Sequence, residues 1–251
     1  MNLSPLLLVD KYRPSRVQDL VLPAKHNLHK VIEWCQDPYP SAWLFHGPSG
    51  LGKTSLARIM ASIASPSEFG RQSYVGPDLD GNKVRHLAPT LTQRPVFGGM
   101  HAILINEADA IPEVGQIRLL DLLESHPKTT ALIVATANAD LDHYESRLTS
   151  RFQCVHWTKE GLLTPATDWL LRIADCESIA LTRKAAERMV VDSRTNLRAA
   201  LQALDSYAAR LRVGPQLPVL KTLGETRANG VRIEAVGDST GLILPARNLP
   251  L

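Results

Sequence analysis

Residues 41–60, SAWLFHGPSGLGKTSLARIM, leave few folds open to the chain. The apolar run Trp43-Leu44-Phe45 reads as a buried strand. Gly47-Pro48-Ser49-Gly50-Leu51-Gly52-Lys53-Thr54 fits the phosphate-loop pattern G-x-x-x-x-G-K-[ST], and helix formers follow from Leu56 to Ala61. Each part has a physical task. Gly47, Gly50 and Gly52 can take backbone angles that turn successive N–H groups into one concavity. A helix starting near Lys53 aims the positive end of its dipole at the same point. Lys53 supplies a charge for β- and γ-phosphates, and the Thr54 hydroxyl is a ligand for Mg²⁺. A chance glycine-rich turn would lack both the strand before and the helix after. The segment from Gly47 to Ser55 is therefore expected to bind a nucleotide.

On either side of this unit the chain alternates apolar strands with amphipathic helices. Residues 9–25 carry two prolines and no helical period, so an extended arm is expected. A helix follows with Leu28, Val31, Ile32 and Cys35 on one face, stopped by Asp37-Pro38-Tyr39-Pro40. Beyond the loop, strands are expected at 72–75, 101–106, 131–136 and 155–157, with helices at 82–91 and 111–126. The apolar face of the latter is read as Val114, Ile117, Leu120 and Leu123. Strands alternating with helices imply an α/β fold, a parallel sheet with helices on both faces, whose ligands bind at the carboxyl ends of the strands. After Thr158 the strands stop. Three helices at 164–179, 182–192 and 196–211 form a small all-helical lid domain, the last with Leu197, Ala200, Leu201, Leu204 and Ala208 on one face. The expected boundaries are a nucleotide-binding core over 1–160, a lid over 161–211, and a tail over 212–251 with a candidate β-hairpin around Gly237–Gly241.

Composition narrows the class further. With 44% hydrophobic and 21% charged residues the chain fits a globular protein, and a formal charge of +3 permits contact with nucleic acid without arguing for it. Cys35, Cys154 and Cys176 lack C-x-x-C spacing, which predicts buried small hydrophobes in a reducing compartment. No stretch approaches a membrane span, so a cytoplasmic location is expected.

Three polar groups fall at strand ends near the phosphate loop. Glu107 follows an apolar strand and is the candidate general base toward the water that attacks a γ-phosphate. The competing role is a helix-capping carboxylate, for which Asp109 serves equally well. Asn106 stands where most phosphate-loop ATPases place the Asp that holds Mg²⁺ through water; an amide accepts a hydrogen bond there but brings no charge. Asn138 ends the neighbouring strand and is a candidate second orienter of the water. Arg151, after the following loop, could reach a neighbouring subunit's γ-phosphate, a solvated loop arginine being the default reading of its position alone. Arg198 on the last helix could fold back onto the chain's own phosphates, though a lone arginine on a helix is otherwise unremarkable.

Together these segments resemble the AAA+ ATPases, and within them the clamp-loader ATPase subunits (replication factor C small subunits and the bacterial tau/gamma subunit), over about residues 9–210. Asp10-Lys11-Tyr12-Arg13-Pro14 is similar to the family's E-K-Y-R-P arm, and Asp19-Leu20-Val21 to its D-L-V. By resemblance, Tyr12, Arg13, Pro14, Leu20 and Val21 hold the adenine. Gly47–Thr54 matches Walker A, and Asn106-Glu107-Ala108-Asp109 stands at the D-E-A-D of Walker B. Thr136-Ala137-Asn138 resembles sensor 1, Ser150-Arg151-Phe152 the S-R-C with its trans finger, and Asn196–Leu201 the sensor 2 segment carrying Arg198. Asn106 departs from the Walker B aspartate and Phe152 from the S-R-C cysteine. Only about forty residues follow the lid, where clamp loaders carry a helical collar.

The resemblance implies ATP and Mg²⁺ as cofactors, with catalytic roles for Lys53, Glu107, Asn138 and Arg151 and metal-site roles for Thr54 and Asn106. It implies assembly with itself or related AAA+ subunits in a pentamer-like ring. It also implies a DNA sliding clamp as partner and phosphate-directed contact with primer-template DNA. Two functions follow from these residues: a clamp-loader-like ATPase that loads a clamp or remodels a protein–DNA complex, or a weakly hydrolysing ATP-binding subunit that organises an assembly.

Overall fold

The computed structural model describes residues 7–23, 26, 28–124, 131–138 and 146–213. The expected tail over 214–251, hairpin included, lies outside them. Among the described residues the helices are α1 (Leu8–Lys11), α2 (His29–Gln36), α3 (Lys53–Ala64), α4 (Gly81–Thr92), α5 (Glu113–Glu124), α6 (Ser146–Thr149), α7 (Leu163–Cys176), α8 (Arg183–Asp192) and α9 (Leu197–Val213). The strands are β1 (Ser41–His46), β2 (Arg71–Val75), β3 (His101–Asn106), β4 (Ala131–Thr136) and β5 (Gln153–His156).

All four pairings are parallel, in the order β2-β3-β4-β1-β5. The sequence pattern explains the order. β1 and β4 are buried at every position, as central strands covered on both faces must be, whereas β2 and β5 alternate and lie at the edges. Register levels the carboxyl ends: Val75 lies opposite Asn106, Phe45 opposite Thr136, and His46 opposite His156. The turn after β1 therefore opens onto the edge where Glu107 and Asn138 emerge.

Two cores lie on the two faces of the sheet, divided by the two-residue alternation of the strands. Trp43, Phe45, Leu104, Leu132 and Val134 pack with α2, α3 and the lid helices. Leu44, Ile103, Ile105, Ile133 and Ala135 pack with α4 and α5. The lid joins the first core through Ala166, Leu170 and Ile173 of α7, Ala186 and Val190 of α8, and Leu197, Ala200, Leu201 and Leu204 of α9. Fully burying a leucine or isoleucine contributes about 2 kcal/mol. Helices of this length are marginal alone, so packing holds them. Local signals set their ends: Thr182 accepts from Ala185 N at 3.3 Å to start α8, and Asn196 accepts from Ala199 N at 3.0 Å to start α9. The described residues up to Ala208 form one compact unit.

Four expectations are corrected. The arm is not extended throughout, because it holds the single turn α1 and a 3₁₀ turn at Val17–Asp19. On α2, Ile32 faces outward and Trp34 is buried, its indole N–H donating to Tyr39 O at 2.8 Å, which lets a large polar-tipped ring face the core. On α5, Val114 and Ile117 are exposed while Leu119, Leu120, Leu122 and Leu123 are buried. At 3.6 residues per turn a strict i+3 series drifts by about 60° per step, so Val114 and Leu123 lie on opposite sides. The cysteines are free as expected but not buried: Cys35 is half-buried, and Cys154 and Cys176 are exposed.

Candidate nucleotide site

The loop from Gly47 to Gly52 is held by what surrounds it. Trp157, 1% exposed, donates its backbone N–H to His46 O at 2.8 Å, and a Cβ on Gly47, at φ 120°, would overlap the Trp157 carbonyl. Gly50, at φ 77°, faces the Asn196 carboxamide, and its carbonyl accepts the Leu197 N–H at 3.1 Å. The loop thus carries the start of α9 on its outer side. α3 begins at Lys53, directly after the left-handed Gly52.

Lys53 is 5% exposed and donates to Gly47 O and Pro48 O, each at 2.7 Å. Burial pushes its ammonium down to about 8, opposed by the charge of Asp109. A buried ammonium spanning the mouth of the loop is a ready partner for a phosphate oxygen.

A cavity of about 350 Å³ opens here, and it gathers most of the residues singled out in the sequence. The arm contributes Tyr12, Arg13, Pro14, Leu20 and Val21; the loop and α3 contribute Ser49 to Ser55 without a gap. The strand ends add Asn106, Glu107 and Asn138, and the lid adds Arg198. Gly47 and Pro48 do not line it but hold Lys53 through their carbonyls. Arg151 lies apart from this cavity, on the surface, paired with Glu124 at 3.0 Å.

The acidic segment is resolved in detail. Glu107 sits in the left-handed region at φ 55°, ψ 47°, a conformation that costs a non-glycine residue about 1 kcal/mol and clusters at functional sites. It occupies the backbone position that starts a 3₁₀ turn, yet its side chain makes no capping bond and its residue lines the cavity. Asp109 turns elsewhere and accepts the Asn138 N–H at 3.3 Å, tying the ends of β3 and β4 together. Asn106 donates its amide to Ser73 Oγ at 3.2 Å and to Tyr74 O at 3.5 Å on the edge strand. That spends its donors on β2 and leaves its oxygen as an acceptor.

Six lining residues were not singled out as site residues from sequence: Val9, Arg58, Thr136, Trp169, Leu197 and Leu201. Arg58 had a signal, since it follows Thr54 by four positions and so shares its face of α3. Burial, then the charges of Arg13 and Arg198, pushes its guanidinium down. Arg13, Lys53, Arg58 and Arg198 against Glu107 make the cavity cationic, which suits a polyanion. Val9 and Trp169 carry no pattern that separates them from core residues.

Residues 43–159 match the family "ATPase family associated with various cellular activities (AAA)". Among curated proteins, the replication factor C large subunit of Ignicoccus hospitalis is 28% identical over 217 residues, covering 79% of this chain and 43% of its own. The replication factor C small subunit of Methanoregula boonei is 26% identical, covering 97% of this chain and 74% of its own. Among solved structures, the Thermotoga maritima RuvB Holliday junction branch migration motor aligns with TM-score 0.61 at 20% identity, covering 80% of this chain and 67% of its own. That last likeness concerns the fold alone. The chain therefore spans less than half of the large subunit and about three quarters of the small one. No helix among the described residues is long and apolar enough to cross a membrane. Sequence, site and fold together give this chain an AAA domain and a resemblance to AAA+ ATPases of the clamp-loader type.

Proposed function

We propose that the chain binds ATP in this cavity and hydrolyses it with Mg²⁺ at an interface between AAA+ subunits, as part of loading a sliding clamp or remodelling a protein–DNA complex. The observation that carries the reading is the convergence on one cationic cavity of the arm, the phosphate loop, Glu107 with Asn138, and Arg198. The loop amides, Lys53 and Ser55 hold the phosphates, while Tyr12, Arg13, Pro14, Leu20 and Val21 receive the base. Glu107 takes a proton from the attacking water, Asn138 orients that water, and Arg198 balances the charge that develops on the γ-phosphate. Thr54 and Asn106 fit Mg²⁺, which takes few protein ligands and completes its shell from phosphate and water. The ion, when bound, neutralises charge shared between β- and γ-phosphates.

The position of Arg151 supports assembly. It is exposed, away from the chain's own cavity, and held by the surface residues Glu124, at 3.0 Å, and Ser150, at 3.4 Å, so a neighbour's phosphate can take it over. A protein partner is supported by Phe69, Val96 and Phe97, exposed to 83%, 92% and 64%, with the two phenyl rings 5.7 Å apart. Contact with primer-template DNA would be phosphate-directed and salt-sensitive. Steady-state ATP turnover over a protein dilution series, with and without primed DNA, tests the reading. Turnover per subunit that rises with concentration supports it; turnover constant down to dilute protein refutes the shared site.

A second reading is favoured by Asn106: the chain binds ATP, hydrolyses it weakly and uses it to organise an assembly. The Asn106→Asp variant separates the two. A rise in turnover of tenfold or more, about 1.4 kcal/mol of barrier, supports the weak-hydrolysis reading. No gain returns the weight to the first.

A further inference from the structure

The cavity's two side walls come from opposite ends of the described chain. The arm brings Tyr12, Arg13 and Pro14, and the lid brings Trp169, Leu197 and Arg198. The two walls are fastened to each other outside the cavity. Tyr12 lines the cavity, but its hydroxyl donates to Glu177 Oε1 at 2.5 Å. The same carboxylate oxygen takes Lys11 Nζ at 2.6 Å, and that ammonium lies 5.7 Å from the centre of the Tyr12 ring. Glu177 is the residue that ends α7, with its side chain 14% exposed. A second fastening lies one turn earlier in the arm, where Leu8 N donates to Asp205 Oδ2 on α9 at 3.0 Å. Both carboxylates belong to the lid, all three donors (Tyr12, Lys11 and Leu8) belong to the arm, and neither carboxylate lines the cavity.

We propose that Glu177 is a positioning residue for base recognition: it holds the Tyr12 ring and Lys11 against the lid, so that arm and lid close as one wall on the base of a bound adenine nucleotide. This rests on the reading of the cavity as a nucleotide site. The geometry makes the role distinct from packing. A carboxylate accepting from both a phenol and an ammonium forms charge-assisted bonds, stronger than neutral ones. The acceptor also fixes the phenol in its protonated, donating form, since the hydrogen bond to Glu177 raises the Tyr12 hydroxyl well above its ordinary value. The phosphate end is built from other parts: Lys53 is held by Gly47 and Pro48, and the loop is buttressed by Trp157 and Asn196. The latch can thus be broken without touching Lys53 or the phosphate loop.

That separation supplies the test. Calorimetric binding of ATP and of inorganic tripolyphosphate is measured on the full chain and on Glu177→Ala, Glu177→Gln, Tyr12→Phe and the Tyr12→Phe/Glu177→Ala pair, each with its melting temperature. The expected result is ATP binding weakened about tenfold in Glu177→Ala with tripolyphosphate binding within about twofold of the parent. Glu177→Gln, which keeps an acceptor for the hydroxyl and loses the ion pair, falls between. The double variant is no weaker than Glu177→Ala alone, because the hydroxyl has already lost its partner. Should Glu177→Ala fail to fold, Tyr12→Phe, which removes one oxygen and no packing carbon, carries the same comparison. Parent-like ATP binding in the variants overturns the latch, as does an equal loss of ATP and tripolyphosphate. A parent chain that binds tripolyphosphate but no ATP overturns the nucleotide reading itself, and the latch with it.

Discussion

Gly50→Ala perturbs the contact on which lid and loop meet. Gly50 lies at φ 77°, so any Cβ there costs about 1 kcal/mol of backbone strain. That Cβ would also overlap the Asn196 carboxamide, which must leave the Ala199 N–H it caps at 3.0 Å. Losing a cap costs about 1 kcal/mol more. The sum, about 2 kcal/mol, lowers the melting temperature by roughly 4–8 °C for a chain of this size. The Leu197 N–H to Gly50 carbonyl bond is strained by the same displacement, so Arg198 is drawn from the cavity and ATP binding weakens. The assay is thermal melting followed by circular dichroism, with ATP titration of the folded variant. Asn196→Ala removes the cap alone and costs about 1 kcal/mol. Because the cap can be lost only once, Gly50→Ala/Asn196→Ala should cost about 2 kcal/mol, less than the sum of its parts. Strictly additive losses would refute the contact as the cause, and an unchanged melting temperature in Gly50→Ala would refute the strain as well.

The buried Lys53 makes both stability and binding depend on pH. Its folded value of about 8 lies below the ordinary 10.5, so the unfolded chain binds more protons between these limits. Stability of the nucleotide-free protein should therefore rise with pH from about 8 to about 10.5, and flatten in Lys53→Met, as urea melts can check. ATP affinity should fall in the same window, because the charge that meets the phosphates is lost in the free protein; a titration at pH 7 and pH 9.5 reads it. Phe97→Asp, on the exposed apolar patch, should change stability by less than about 0.5 kcal/mol and leave basal turnover alone while abolishing stimulation by the cognate sliding clamp. Undiminished stimulation would remove the patch from the interface.

The elements that the sequence discloses are those whose chemistry is local. The phosphate loop, its flanking strand and helix, and the apolar strands ending at Asn106 and Thr136 are specified by residues adjacent in the chain. The same holds for α9, whose buried face of Leu197, Ala200, Leu201, Leu204 and Ala208 matches its helical period. What escaped depends on partners distant in sequence. Val114 and Ile117 are apolar at helical spacing, yet only the direction from which the sheet approaches α5 decides that they face outward. The turn at Leu8–Lys11 is no helix by pattern; it is held by Asp205 on α9 and by Glu177 at the end of α7, more than 160 residues away. Trp169 joins the cavity only because the fold brings α7 and the arm to the same opening. Asp109 is another case: adjacency suggested a helix cap, and its actual partner is the backbone of Asn138 on the next strand.

The account turns on a hydrolytic site shared between subunits, with Glu107 acting within its own cavity and Arg151 acting in a neighbour's. A mixing experiment addresses this directly, by measuring ATP turnover of Glu107→Gln alone, Arg151→Ala alone, and the two combined at equal total concentration. Each variant should bind ATP as the parent does. Arg151→Ala should also keep its melting temperature, since an exposed ion pair is worth at most about 1 kcal/mol. Each alone should lose turnover by about a thousandfold. The mixture should recover a substantial fraction, because subunits with an intact Glu107 then sit beside subunits with an intact Arg151. Recovery of that kind is the predicted result; a mixture as inactive as its components, with both variants still assembling, would contradict the shared site.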